Sequence, residues 1–522
     1  MKKHWLLGAA AMMLASSVVA QSSNNQDEVV KIERHAARDY REGEMIVKFK
    51  PASEVRVRSL SRGVASGVSG VDKVLGELGI TASEPLMPLT GSEVTPRAKA
   101  LRSVSGKTIE DSDMSQLYRL NFDATKVNVH EAIDKLSALD EVEYAEPNYV
   151  VYALAESEAS ETYDTAEEAA AYVVEPLYSQ QWGPAAINLP QLWAQPKITT
   201  KRPVIAILDT GVDIEHPDLK DNIWINEAEL NGAEEEDDDA NGFADDLHGW
   251  DFVNQTARLG DWNGHGTHCA GIAAAVGNNG IGVAGANPDA LIMPITVMQS
   301  DGTGDVATII KGIDYANANG ADILSMSIGG CRYSSAQEEA LLKAFYNGRY
   351  LVAAAGNAFS DIYEGCPPEG PALTFPAAFK FVIGVMATAE SGAKAGFSNY
   401  DSDGPHFSEF DPEGPAFFGD YYNYDIAAPG SGIMSTFPGG TYRTMSGTSM
   451  STPMVAGALS RLLQCRTFSS QENCQGLLIQ TRDTVSYNNI DLQAAMQFDE
   501  LAVDPVLVVT HYTIIDTING GN

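Results

Sequence analysis

Basic residues are scarce in this chain: 34 Lys and Arg stand against 70 Asp and Glu in 522 residues, a formal charge of −36 at pH 7. Such a surface repels polyphosphate and anionic lipid, so nucleic acid and acidic membranes are poor partners. The charge itself reads as a solubility device, suited to a salty medium. Cysteine is sparse too. The five are Cys269, Cys331, Cys366, Cys465 and Cys474, an odd number that leaves at least one without an intrachain bridge. Cys and His do not cluster at zinc-ligand spacing, which disfavours zinc chemistry. One N-terminal apolar stretch, Trp5–Val19, follows Lys2 and Lys3 and ends at Val18-Val19-Ala20 before Gln21. That pattern is expected of an export signal over residues 1–20, and no other stretch is long and apolar enough to span a bilayer. Internal repeats are absent.

What is present is ordered in blocks. Glu42–Pro51 alternates apolar and polar residues like a strand, Val129–Leu139 has helical spacing, and Val142–Leu154 returns to strand character. They predict a small α+β domain closing a segment over 21–154. Residues 155–175 are acidic and alanine-rich, as an exposed linker should be. Over 176–503, short apolar strands at Val204–Leu208, Leu291–Val297, Ile323–Ile328, Leu351–Ala355 and Val382–Val385 alternate with helical stretches at His265–Val276, Val306–Ala318, Ser335–Asn347 and Thr448–Leu463. Alternation of this kind implies an α/β fold, a parallel sheet covered on both faces, with chemistry at the carboxyl ends of its strands. Asp401–Tyr422 reads as a surface insertion, and 504–522 as a tail.

Four blocks carry chemistry. Asp209 closes AILDTG, His265 lies in NGHGTHCAG, Asn357 ends AAAGN, and Ser449 lies in SGTSMSTP. A serine hydroxyl needs an adjacent base, and the base needs an orienting group. Ser449 after Gly447 and Thr448 is expected at a helix start, with Pro453 in the first turn. His265 between two glycines is the expected base, Asp209 its orienting carboxylate, and Asn357 a donor to a tetrahedral oxyanion.

In this order the blocks resemble those of the subtilisin-like serine proteases, the subtilases, from about Glu175 to about Met496. Ser451, where relatives often carry alanine, is a small departure. The resemblance implies a three-layer fold with a central parallel sheet, and makes the α+β domain similar to the family's intramolecular inhibitor prodomain. Its last strand would then lie in the cleft, with Tyr152-Ala153-Leu154 before the scissile bond and self-cleavage after Leu154. Gly302-Thr303-Gly304 and Ser327-Ile328-Gly329 resemble the two edges that clamp substrate as an added strand. Thr374 in TFP would contribute to the floor of the primary pocket. No buried charge is evident there, so broad cleavage with apolar or aromatic preference is expected.

Two calcium sites are expected, both structural. Asp237, Asp239 and Asn241, then Gly242 and the Phe243 carbonyl, resemble the start of an EF-hand-type loop that Asp245 or Asp246 would complete, although its usual last glutamate is missing. Gly277–Val283 resembles the strong calcium loop of subtilisins, which implies Asn279, the carbonyls of Gly277, Ile281 and Val283, Asp218 from HPDL, and Glu175 as ligands. Cysteine pairing stays open: Cys269 reads as a buried thiol, Cys465 and Cys474 are near enough to staple a loop, and Cys331 and Cys366 lie near loop glycines. The reading is an exported (extracellular or periplasmic), monomeric zymogen acting on protein and peptide substrates, restrained by its own prodomain and free of the membrane after signal removal. An inactive binding protein on the same fold, a hydrolase of small esters and a narrow maturation protease are the competing readings.

Overall fold

Hydrophobic patterning sorts the described residues into three large cores and a small fourth one of Ala387, Ala395 and Phe397. The computed structural model describes residues 39–53, 55–60, 63–91, 112–155, 175–359, 373–379, 381–400, 424–468, 471, 474, 478 and 490–497. The export signal, most of the acidic linker, the Asp401–Tyr422 insertion and the C-terminal tail lie outside them.

Near the N-terminus, antiparallel strands Tyr40–Phe49, Ile80–Pro85, Leu117–Phe122 and Val142–Ala153 form one sheet. Tyr40–Phe49 runs in the middle, so residues of one parity, Met45, Val47 and Phe49, meet Leu75, Leu120, Ala132 and Leu136 in a dry core. Helices Ser69–Glu77 and Val129–Ser137 cover it. Asn128 caps the second by accepting the Glu131 N–H at 2.9 Å.

Downstream, a parallel sheet of seven strands runs in the order Ile426–Pro429, Ile383–Thr388, Tyr350–Ala354, Ile323–Met326, Val204–Asp209, Leu291–Thr296 and Trp250–Asp251. Val204–Asp209 is buried along its whole length near the centre of the sheet, as a strand covered on both faces must be. Helices Val306–Ala318 and Ser335–Tyr346 contribute to one flanking core, and His265–Ala274 and Thr448–Cys465 to the other. Asp305 and Ser334 cap the first two by accepting N–H groups of Thr308 and Gln337. The expected α/β architecture is thus present, with three differences of detail. Ile323–Ile328 divides into Ile323–Met326 and a short edge Ile328–Gly329 that turns out of the parallel sheet. Ile426–Pro429 and the hairpin Ile433–Phe437/Thr441–Met445 carried no clear period in the sequence. Pro453 lies in the second turn of Thr448–Cys465, not the first.

The two parts share a core. Ile46, Leu86, Met87, Met114, Leu117 and Val151 pack in the same cluster as Ile310, Ile313 and Leu341 of the covering helices. Polar contacts lock it: Glu146 accepts from Ser335 N (3.0 Å), Ala336 N (3.2 Å) and Ser334 Oγ at the start of a helix, and Asp314 accepts from Leu89 N (2.8 Å) and Thr90 N (2.9 Å).

Candidate active site

Asp209 ends its strand and His265 opens its helix, and the two meet. His265 Nδ1 lies 2.7 Å from Asp209 Oδ1, and the aspartate is also held by the Thr210 N–H at 2.7 Å. Burial works against charge on the imidazole, but the adjacent Asp209 carboxylate outweighs it and holds the His265 pKa well above the ordinary value. Gly264 caps the helix at φ 98°, and a Cβ there would stand 2.2 Å from the Phe437 ring, so only glycine brings His265 to this place.

Ser449 is the second residue of its helix and is fully buried. Its hydroxyl donates to the Ser327 carbonyl at 2.9 Å, while His265 Nε2 is buried with no hydrogen-bond partner. Serine and imidazole therefore do not share a hydrogen bond in this state, a common looseness of resting sites. Pro453 explains a neighbouring feature that the sequence hid. Lacking an N–H, it cannot bond the Ser449 carbonyl four residues back. That oxygen instead accepts from Ser327 Oγ at 2.8 Å and from the Cys269 thiol at 3.4 Å. Cys269 is the expected buried thiol.

The cleft is filled by the chain itself. Strand Val142–Ala153 continues between the two expected edges, antiparallel to both: Tyr152 is opposite Thr303, Val151 opposite Gly304, and Ala153 opposite Ile328. The Ala153 N–H donates to the Gly302 carbonyl at 2.9 Å and the Leu154 N–H to the Ser327 carbonyl at 3.2 Å. The Leu154 carbonyl oxygen accepts from Asn357 Nδ2 at 2.7 Å and from the Ser449 N–H at 3.2 Å. Asn357 is aimed by Thr448, whose N–H and hydroxyl both donate to Asn357 Oδ1 at 2.9 Å. A Cβ on Gly447 would lie 2.5 Å from the Leu154 oxygen and 2.9 Å from Ala155 Cα, so glycine lets the backbone pass this close. The Leu154 side chain reaches a wall formed by Gly329 and the Thr374 methyl, both of which meet at the same point. Two donors on one carbonyl oxygen, beside a serine and an Asp-supported imidazole, suit attack on that carbonyl carbon.

The acidic residues gather in two places. Glu175 is fully buried. Its Oε1 accepts the Asn279 N–H at 3.3 Å and its Oε2 is buried without a partner. Asp218 accepts from Asn279 Nδ2 at 2.7 Å and Val283 N at 2.9 Å. Burial pushes its carboxyl up to about 7, with the Glu175 charge adding to the shift and these donors opposing it. Gly277, Asn279, Ile281 and Val283 lie on one loop there, turned by Gly280 and Gly282 at positive φ. An orphaned carboxylate oxygen beside a second buried carboxylate is a donor set that fits a hard divalent cation. In the other place, carboxylate oxygens of Glu229, Asp237 and Asp239 all lie within 4.8 Å of one another. Glu229 escaped the sequence reading because it sits on a separate short helix, Glu227–Leu230. Asn241 N donates to Asp237 at 3.0 Å and to Asp239 at 3.1 Å, while Phe243 makes a tilted contact with Trp250 and edge-on contacts with Phe252 and Tyr315. Asp246 is buried and accepts from Tyr315 Oη at 2.6 Å, Asn226 Nδ2 at 2.8 Å and Asn241 Nδ2 at 3.0 Å. Asp245 accepts from the Glu235 N–H instead.

The Cys465–Cys474 staple does not form: the helix carries Cys465 as a thiol directed toward the Gln195 carbonyl. Cys366 lies outside the described residues, so the Cys331 and Cys366 cross-link falls outside them too.

Comparison with known proteins agrees with this geometry. Residues 200–496 match the subtilase family (peptidase S8), and residues 93–148 match the N-terminal prodomain of the fervidolysin type. Thermitase of Thermoactinomyces vulgaris is 35% identical over 308 residues, 59% of this chain and 90% of the relative. A thermophilic serine proteinase of Bacillus sp. (strain AK1) is 32% identical over 394 residues, 75% of this chain and 79% of its own. Subtilisin E of Bacillus subtilis (strain 168) is 34% identical over 286 residues, 55% and 61% of the two chains. The chain belongs to the subtilase family and is a subtilisin-type serine endopeptidase.

Proposed function

We propose that the protein is made as a self-processing zymogen, exported, and active on protein substrates with broad, mainly apolar preference. The observation that carries this reading is the Leu154 carbonyl held by Asn357 and the Ser449 N–H. In the proposed reaction Ser449 Oγ turns from the Ser327 carbonyl and attacks the Leu154 carbonyl carbon while its proton passes to His265 Nε2. Asp209 holds Nδ1–H and stabilises the imidazolium; Ser449 N–H and Asn357 Nδ2 stabilise the oxyanion. His265 then gives the proton to the leaving Ala155 nitrogen, and water deacylates Ser449 by the same steps in reverse. Until it dissociates, the cleaved strand would remain as an inhibitor, held by the shared apolar core. Free substrates would use the same edges, Gly302–Gly304 and Ser327–Gly329, with the leading side chain against Thr374.

Calcium is proposed as a structural ion. Glu175, Asp218 and Asn279, with carbonyls of Gly277, Ile281 and Val283, would hold one; Asp237, Asp239 and Glu229, with Asn241, the Phe243 carbonyl and Asp246 nearby, would hold another. When bound it would neutralise clustered carboxylates and tie the start of the catalytic domain to its core.

Intact mass of the wild type and of Ser449→Ala after refolding tests the zymogen reading. The wild type should split after Leu154 and the variant should not; a wild type that stays whole and inert overturns it in favour of an inactive binding protein. The open, strand-binding cleft favours peptides over small esters.

A further inference from the structure

Several cations of this acidic chain find carboxylates: Lys48 pairs with Glu339, Arg119 with Glu84 and Arg332 with Asp39. Arg443 does not. Among the described residues its guanidinium makes no ion pair, and its Nε is buried with no hydrogen-bond partner. Its Cζ instead stacks 3.9 Å from the centroid of the Phe437 ring. A guanidinium positioned by an aromatic face keeps its fork of donors available and oriented.

Its place in the fold gives this cation a use. Arg443 lies in strand Thr441–Met445, opposite Ser435 of Ile433–Phe437. The strand runs directly into the Gly447–Ser449 turn. Phe437 packs against Gly264, immediately before His265, and a Cβ on Gly447 would lie 2.9 Å from Ala155 Cα. The residues before the scissile bond are lined by Thr303–Asp305 and Ile328–Gly329. The Arg443 hairpin therefore borders the other half of the cleft, on the side of Ala155.

We propose that Arg443 is a specificity residue that binds an acidic side chain within the first few residues after the scissile bond. The inference rests on Leu154–Ala155 being the processed bond. The chain's own sequence there, Leu154-Ala155-Glu156-Ser157-Glu158, places two carboxylates directly downstream. A strongly anionic protein repels acidic substrates at long range, so a half-buried cation beside the cleft provides the local discrimination. A charge-assisted pair of this kind changes the selectivity by about tenfold.

The test uses two internally quenched peptides, VVYALAESE and VVYALAQSQ, with the processed full-length wild type, Arg443→Gln and Arg443→Lys. The wild type should favour the glutamate peptide in kcat/KM by about tenfold, mostly through KM, and less so at high salt. Arg443→Gln should bring the ratio to about one, and Arg443→Lys should keep part of it. A wild-type ratio near one, or an undiminished ratio in Arg443→Gln, overturns the proposal. Should Arg443→Gln not fold, the salt dependence of the wild-type ratio and its partial survival in Arg443→Lys decide the matter. If the wild type cleaves neither peptide and is as inert as Ser449→Ala, the peptidase reading fails first, and the proposal with it.

Discussion

Asn357 Nδ2 lies 2.7 Å from the Leu154 carbonyl oxygen, although the two residues are 203 positions apart in the chain. The amide reaches across the cleft because Thr448, next to Ser449, fixes its other end. Position of the donor and position of the nucleophile are therefore set by the same short turn. Replacing Asn357 by Ala should lower kcat by about 10²- to 10³-fold with little change in KM, a magnitude established on a subtilisin. Steady-state kinetics on a neutral peptide checks this, and a loss confined to KM would assign Asn357 to ground-state binding.

Asp209→Asn should keep the fold and cut kcat by about four orders of magnitude, because an amide no longer selects the tautomer that leaves Nε2 free to accept a proton. The pH profile supplies an independent sign. The imidazole must be neutral to act as base, so activity rises with pH through the His265 pKa, which Asp209 holds above its ordinary value. Removing that charge should move the acidic limb of the residual activity to lower pH. A limb that does not move would show that Asp209 does not tune His265.

Chelation should destabilise the protein. A ligand present at about 1,000 times its Kd stabilises the folded state by about 4 kcal/mol. For a domain of this size that is roughly 10 °C in Tm. Asp218→Asn should lower the Tm measured in calcium and shrink the response to EDTA, since it removes one of two buried carboxylates. A Tm indifferent to EDTA in the wild type would contradict calcium at either place.

Most of the site was legible in the sequence because its residues sit where regular elements end. Asp209 closes a fully apolar strand, and His265 and Ser449 each follow glycines that open a helix. Leu154 was legible as the last residue of a strand-like run. What stayed hidden depends on contacts between distant segments. Glu229 joins Asp237 and Asp239 only through folding. Strand Ile433–Phe437 is buried along most of its length, so it lacks the alternation that marks a half-exposed strand. The partner of the Ser449 carbonyl follows from Pro453 lying one turn later than its motif suggests, an offset that only the helix start reveals.

The central claim is that the bond after Leu154 is cut by Ser449 of the same chain. The most direct measurement is the intact mass of the refolded wild type and Ser449→Ala in calcium, followed over time and at several protein concentrations. The account predicts a concentration-independent split between Leu154 and Ala155 in the wild type alone, with casein hydrolysis appearing after it. An uncut wild type, or a Ser449→Ala chain that splits at the same bond, would contradict it.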